Sequence, residues 1–149
     1  MDKIDRKILA ELQHNARASL QEISQAAGLS STPCWTRMKK LEETGVIERY
    51  TVNLNAEALG LGETVMVQVT LDSHSDNTLE KFGETLASIP EVVEAYLVSG
   101  EYDYLLRIAV KDTKDYERLL REKLYRIKGV RHSKSSFVLR TLKKADLPL

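Results

Sequence analysis

The chain has 149 residues, and its 22 Lys and Arg balance 22 Asp and Glu, so the formal net charge is zero. Apolar residues make up 42% and charged residues 30%, the balance of a folded globular chain and not of a disordered tail. No apolar run approaches the roughly 20 residues of a membrane span, and the charged opening MDKIDRKIL excludes a secretory signal. Cys34 is the only cysteine, which excludes an intramolecular disulfide and a multi-cysteine metal site, and His14, His74 and His132 form no ligand-spaced pair. The expected compartment is the cytoplasm, with no membrane association.

In chain order, Ile4, Ile8, Leu9 and Leu12 recur at helical spacing and predict an amphipathic helix over residues 2–15. Ser19 with Glu22 has the spacing of a capping box and opens a second helix, which carries Leu20, Ile23, Ala26 and Ala27 and stops at Gly28. A third helix begins near Ser31 or Thr32, with Pro33 in its first turn, where a missing N–H costs nothing, and ends at Gly45. Residues 46–54 alternate and predict a strand, YTVNL being its clearest part.

Three short helices, the last two joined by a tight glycine turn, form a helix-turn-helix pattern. On a wheel of about 100° per residue, Cys34, Met38 and Leu41 of the third helix face the core. The opposite side presents Thr32, Thr36, Lys39, Lys40 and Glu43, with Trp35 and Arg37 on the flanks. Residues 31–41 contain Arg37, Lys39 and Lys40 and no acid, a focused positive patch on a chain of zero net charge. Hydroxyls on such a face reach base edges or phosphates, lysines neutralise phosphates, and the helix N-terminus adds donors. The candidate DNA-binding residues are therefore Ser31, Thr32, Trp35, Thr36, Arg37, Lys39 and Lys40.

Residues 55–63, with Gly60 and Gly62, predict a linker. Beyond it Val65, Val67, Val69 and Leu71 alternate as a strand. Leu79, Phe82, Leu86 and Ile89 repeat as a helix, and residues 92–98 form a strand. Gly100-Glu101 is a turn, and residues 102–110 form another strand. Tyr116, Leu119, Leu120, Leu124 and Ile127 predict a second helix, and residues 130–139 a last strand. The order β-α-β-β-α-β is the ferredoxin-like motif. Phe82, Leu86, Ile89 and Val92 are echoed by Leu120, Leu124, Ile127 and Val130, the pseudo-symmetry of that fold. The expected class is α+β: a helix-turn-helix domain over residues 1–52, a strand end and linker over 53–63, and a ferredoxin-like domain over 64–149. Apolar residues on both faces of the predicted sheet imply a second covering layer, for which a partner subunit is the natural source. A second basic stretch, residues 121–144, reads as a solvated helix face and strand.

The stretches GLSSTPCWTRMKKLEETGVIERYT and LVSGEYDYLLRIAV resemble the Lrp/AsnC family, the leucine-responsive and asparagine-responsive transcription regulators of bacteria and archaea. The resemblance runs from DKIDRKIL to the end of the chain. It implies a winged helix-turn-helix domain followed by an effector (RAM) domain, dimers formed through the effector-domain sheets, and further assembly into octamers. It also implies that a small molecule, usually an amino acid, binds between effector domains near the hairpin and the last strand. Carried onto this chain, the implied effector-binding residues are Gly100, Tyr102 and Asp103 of the hairpin and Ser133, Ser135 and Ser136 of the last strand. Ser133 and Ser135 stand where many relatives have threonine, so the hydroxyl is kept and the methyl lost.

The chemistry of these residues suits an amino-acid zwitterion, with Asp103 for the ammonium and backbone N–H groups near Gly100 and the serine hydroxyls for the carboxylate. The expected function is a sequence-specific DNA-binding regulator modulated by an amino acid, needing no cofactor. The alternative is an effector-independent architectural protein of the nucleoid. An enzyme is not expected, because the sequence offers no nucleophile–base pair, metal cluster or phosphate loop.

Overall fold

The computed structural model describes the backbone of residues 1–72 and 76–149 and the side chains of 1–72 and 79–149; His74 lies outside the described residues. The chain divides into two compact units, Met1–Asn53 with Lys143–Leu149, and Leu54–Leu142.

The first unit is built on α1 (Lys3–His14), α2 (Leu20–Ala27) and α3 (Ser31–Glu43). Each start follows from local chemistry. The Asp2 carboxylate accepts from the backbone N–H of Ile4 and Asp5, and Asp5 reaches back to the Asp2 N–H. Ser19 and Glu22 form the predicted capping box of α2, which satisfies donors that a helix start leaves open. Gly28 closes α2 at φ 75°, a left-handed backbone that glycine adopts without a Cβ penalty. The three helices enclose a core of Ile8, Leu9, Leu12, Ile23, Ala27, Cys34 and Leu41. Cys34 is fully buried, and burial pushes its thiol pKa up, so it packs as a small apolar residue.

The strand expected over residues 46–54 does not form among the described residues. Residues 46 and 47 form a bend, and 48–54 carry no regular secondary structure and pair with no strand. A strand needs a neighbouring backbone, and the first unit contains helices only, so alternation here has no ladder to join. Local bonds hold the segment instead. The Ile47 N–H donates to the Leu41 carbonyl at 3.0 Å, and the Tyr50 hydroxyl donates to Glu42 Oε1 at 2.8 Å. Val46, Tyr50, Val52 and Leu54 stay exposed. The chain end joins this unit: Gln13 Nε2 donates to the Leu147 carbonyl at 3.1 Å, and Lys144 Nζ to Asn53 Oδ1 at 2.9 Å.

The second unit follows the order β1 (Glu63–Leu71), α4 (Asp76–Ala87), β2 (Val92–Leu97), β3 (Tyr104–Val110), α5 (Thr113–Glu122) and β4 (Val130–Phe137). The antiparallel sheet runs β2-β3-β1-β4, the ferredoxin-like arrangement. Val65, Val67, Val69 and Leu71 of β1 and Tyr104, Leu106, Ile108 and Val110 of β3 pack with Phe82, Leu86, Tyr116, Leu119 and Leu124 in one core. The Tyr104 ring lies 4.9 Å from that of Phe82, and its hydroxyl donates to the Leu79 carbonyl at 2.8 Å, so this buried aromatic carries no unmet donor.

The structure departs from the periodicity in several places, β2 ending at Leu97 and β4 at Phe137, short of the expected 98 and 139. The helix expected to run through Ile127 ends at Glu122, and a 3-10 turn over Leu124–Arg126 follows. That tighter turn keeps Leu124 in the core while redirecting the chain toward β4. The third strand starts at Tyr104, and Asp103 just before it is still tied to both neighbours, its N–H donating to the Val69 carbonyl and its carbonyl accepting from the Val98 N–H. In β2, Val92 and Glu94 oppose the consecutive residues Ile108 and Arg107. Val93 is therefore an extra, bulged residue, which shifts the parity of the strand.

Candidate functional site

On the first unit, α3 turns Cys34 and Leu41 inward and leaves Ser31, Thr32, Trp35, Thr36, Lys39 and Lys40 exposed. The wheel thus describes the helix, except that Met38 is only half-buried. Lys39 Nζ sits 5.5 Å from the Trp35 ring centroid, within cation–π range, and 3.6 Å from Glu43. Both contacts are solvent-exposed and weak enough for a phosphate to displace. The Thr36 hydroxyl donates to the Thr32 carbonyl at 3.1 Å, and on this exposed residue the oxygen can still accept a hydrogen bond.

Arg37 is placed differently. Its Nη1 donates to Asp2 Oδ2 and Asp5 Oδ1, both at 2.7 Å. The Asp2 carboxyl is held down at about 2, first by the Asp5 backbone N–H and then by Arg37. Asp5 is lowered chiefly by the Asp2 N–H, and Arg37 is raised by both carboxylates. The sequence signal for this cluster is the Asp2–Asp5 spacing, which reads as a helix cap; that the same carboxylates also hold an arginine 32 and 35 residues away is visible only in the fold.

On the second unit, the hairpin and the last strand meet at the end of β1. Gly100 has φ 137°, where a side chain is strained, so the hairpin turns through a residue that leaves its backbone open to approach. Asp103 Oδ2 accepts from the Leu71 N–H at 2.7 Å, and the Asp103 N–H donates to the Val69 carbonyl at 2.9 Å. Ser133 pairs with the same Val69 from the other side. Asp103 and Ser133 therefore lie about two strand spacings, roughly 10 Å, apart. Tyr102 is half-buried beside them.

The other two serines separate. Ser135 pairs with Val67 on the helix-covered face, and its Oγ shares a 2.5 Å hydrogen bond with the buried Tyr116 hydroxyl, whose pKa burial raises. Ser136 pairs with Met66 and belongs to the opposite face, because side chains along a strand alternate. That helix-free face holds Met66, Tyr96, Leu105 and Ala109 around a 2.6 Å ion pair between Arg107 and Glu94. No group of three or more metal-ligating side chains exists among the described residues. No helix of the described residues is long and apolar enough to cross a membrane.

A helix-turn-helix unit joined to a ferredoxin-like ligand-binding unit defines a ligand-responsive transcription regulator. The chain belongs to the Lrp/AsnC family. Residues 1–48 match the model of a winged helix-turn-helix DNA-binding domain, and residues 64–148 match the Lrp/AsnC ligand binding domain. The leucine-responsive regulatory proteins of Klebsiella pneumoniae and Escherichia coli K12 are each 39% identical over 146 residues, covering 98% of this chain and 89% of theirs. Among solved structures, an AsnC family transcriptional regulator from Agrobacterium tumefaciens is 38% identical with a TM-score of 0.93, covering 99% of this chain and 97% of that one. A transcriptional regulator from Neisseria meningitidis, solved as its L-Met complex, is 34% identical with a TM-score of 0.93 over 99% of this chain and 96% of that one.

Proposed function

We propose that this protein binds specific sites on double-stranded DNA as a homodimer, assembling further to an octamer, and that an amino acid sets its assembly or its DNA affinity. The observation that carries the reading is the outward face of α3, where Thr32, Thr36, Lys39 and Lys40 are exposed together on a helix-turn-helix unit. Ser31 and Trp35 extend the surface, and Arg37 lies at its flank. The effector is read as an amino acid held at the end of β1 by Gly100, Tyr102, Asp103 and Ser133, since Ser135 is bonded to Tyr116 and Ser136 lies on the opposite face; the L-Met complex of the Neisseria relative supports that class. Binding that favours one spacing of the recognition helices alters operator affinity, because half-sites must match the helical repeat of DNA.

The test starts by enriching a duplex from a randomised pool with the unaltered chain and measuring its affinity with and without each of the twenty amino acids. Lys40→Ala is expected to weaken binding to any duplex and to lessen the slope of log affinity against log salt by about one, as loss of one phosphate contact does. Thr36→Ala is expected to change the preferred sequence instead. An unchanged slope and preference in both variants would remove α3 from the interface. Failure to enrich any duplex above random DNA, with no response to any amino acid, would favour the architectural alternative.

The dimer is read from the helix-free face, where Met66, Tyr96, Leu105 and Ala109 make an apolar patch that a second copy covers. Leu105→Asp is expected to convert the sedimenting species to monomer at micromolar concentration, by placing an unpaired carboxylate in the contact. A variant that sediments as the unaltered chain does would move the interface elsewhere.

A further inference from the structure

We infer that Arg37 is a positioning residue: with Asp2 and Asp5 it sets how α3 presents Thr36, Lys39 and Lys40, and so governs discrimination between DNA sequences without itself gripping a phosphate. The inference rests on the DNA-binding reading and assigns a role within it.

Two observations carry it. The first is how lightly α3 is anchored. Of its 13 residues only Cys34 and Leu41 are buried, and its N-cap Ser30 makes no side-chain cap bond. Two buried side chains and the half-buried Met38, all on one stripe, hold the helix against its neighbours, and apolar attraction, having no direction, fixes its rotation less firmly than a directional bond does. The second is the division of labour in the Asp2–Asp5 pair. Asp2 Oδ1 accepts from the Ile4 and Asp5 N–H groups and Asp5 Oδ2 from the Asp2 N–H, while Asp2 Oδ2 and Asp5 Oδ1 both accept from Arg37 Nη1. All four carboxylate oxygens are engaged.

The cap fixes both carboxylates to the start of α1, and the guanidinium fixes the middle of α3 to the cap. Charge-assisted bonds of this kind are short and directional, which is what the apolar contacts lack. The cluster of two carboxylates and one guanidinium has a net charge of −1. Left to plain electrostatics it repels DNA, so a favourable effect on binding must come through geometry. Both carboxylates bond Nη1 at 2.7 Å, which fixes the guanidinium to the cap; its Nη2 and Nε make no bond to either carboxylate, and the salt slope of Arg37→Gln reads whether they meet a phosphate.

The test compares three variants of the full chain: the double variant Asp2→Asn with Asp5→Asn, Arg37→Gln, and Arg37→Lys. Asparagine caps a helix as well as aspartate does, so the double variant keeps one cap oxygen on each residue and replaces the oxygen that faces Arg37, with its negative charge, by an amide NH2 that cannot accept from the guanidinium. The probes are the duplex enriched by the unaltered chain and a random duplex of equal length, titrated across salt. Positioning predicts that the double variant and Arg37→Gln each lower the ratio of enriched to random affinity by about tenfold. It predicts an unchanged salt slope for Arg37→Gln, and retention of most of the ratio in Arg37→Lys, whose ammonium still bridges the pair.

Electrostatics alone predicts the reverse. The double variant, two charges more positive, would tighten on both duplexes alike, and Arg37→Gln would flatten the slope by about one. That pattern overturns the inference and makes Arg37 a phosphate contact. If no duplex is enriched by the unaltered chain, the DNA reading fails and the inference falls with it; enrichment without the ratio change sinks the inference alone. Circular dichroism melts accompany each variant, and the double variant carries the test should Arg37→Gln not fold.

Discussion

Replacing Asp103 with alanine is expected to lower the unfolding temperature of the effector-binding unit and to remove its stabilisation by amino acids, whereas Asp103→Asn is expected to lose the second and keep most of the first. The reason lies in the two tasks assigned to this carboxylate. Oδ2 accepts from the Leu71 N–H at 2.7 Å, and the backbone of the same residue bridges Val69 and Val98. Alanine deletes a charge-assisted bond to a backbone donor at the end of the central strand, a loss of about 1.5–3 kcal/mol. Asparagine restores a carbonyl acceptor for Leu71 but brings no anion for a ligand ammonium.

The measurement is thermal unfolding of the three proteins with and without L-methionine and L-leucine. A ligand present at a hundred times its dissociation constant stabilises the form that binds it by about 2.7 kcal/mol. If Asp103→Asn is stabilised by the same amino acid as fully as the unaltered chain, Asp103 shapes the hairpin and the ammonium is recognised elsewhere. Full stability in Asp103→Ala would instead show that the Leu71 bond contributes nothing.

The larger stability effect is expected at Leu106. Its side chain is fully buried in the strand at the centre of the sheet, paired with Val67 on one side and Ala95 on the other. Leu106→Ala removes three buried carbons and leaves a void that the sheet cannot close, because its backbone is held by ladders on both edges. The expected cost is about 2–5 kcal/mol. Since the two units have separate cores, around Ile8 and Ile23 in one and around Leu106 and Ile108 in the other, calorimetry should show the loss in the effector-unit transition, with the helix-turn-helix transition in place. Ile8→Ala should do the converse. A single variant that lowers both transitions together would mean that the units unfold as one.

The family matches cover residues 1–48 and 64–148, and the features of this chain that its sequence made legible are those with local causes. The capping box at Ser19 and Glu22, the glycine stop at Gly28 and the inward stripe of Cys34 and Leu41 each involve residues within a turn or two of one another. They are legible because helix caps and helix faces are set by neighbours three or four positions away. The same holds for the alternation of Val65, Val67, Val69 and Leu71, all buried. The candidate effector site was legible only as a set of residue types. Asp103 and Ser133 do gather at the end of β1, but Ser135, further along the same face of β4, is taken up by Tyr116, and alternation turns Ser136 to the other face.

The sequence by itself determined where α1, α2 and α3 start and stop, the succession β-α-β-β-α-β that makes the second unit ferredoxin-like, and which side of α3 faces solvent. These follow from periodicity and capping, which act over a few residues. Only the tertiary structure decided that residues 46–54 stay unpaired, that the helix after Thr113 stops at Glu122, and that Val93 bulges. It alone decided that Arg37 Nη1 bonds Asp2 and Asp5. Each of these depends on what lies across a gap in space: a strand exists only where another backbone offers its N–H and carbonyl groups. An arginine takes the carboxylates that the fold brings within reach, however far they lie along the chain.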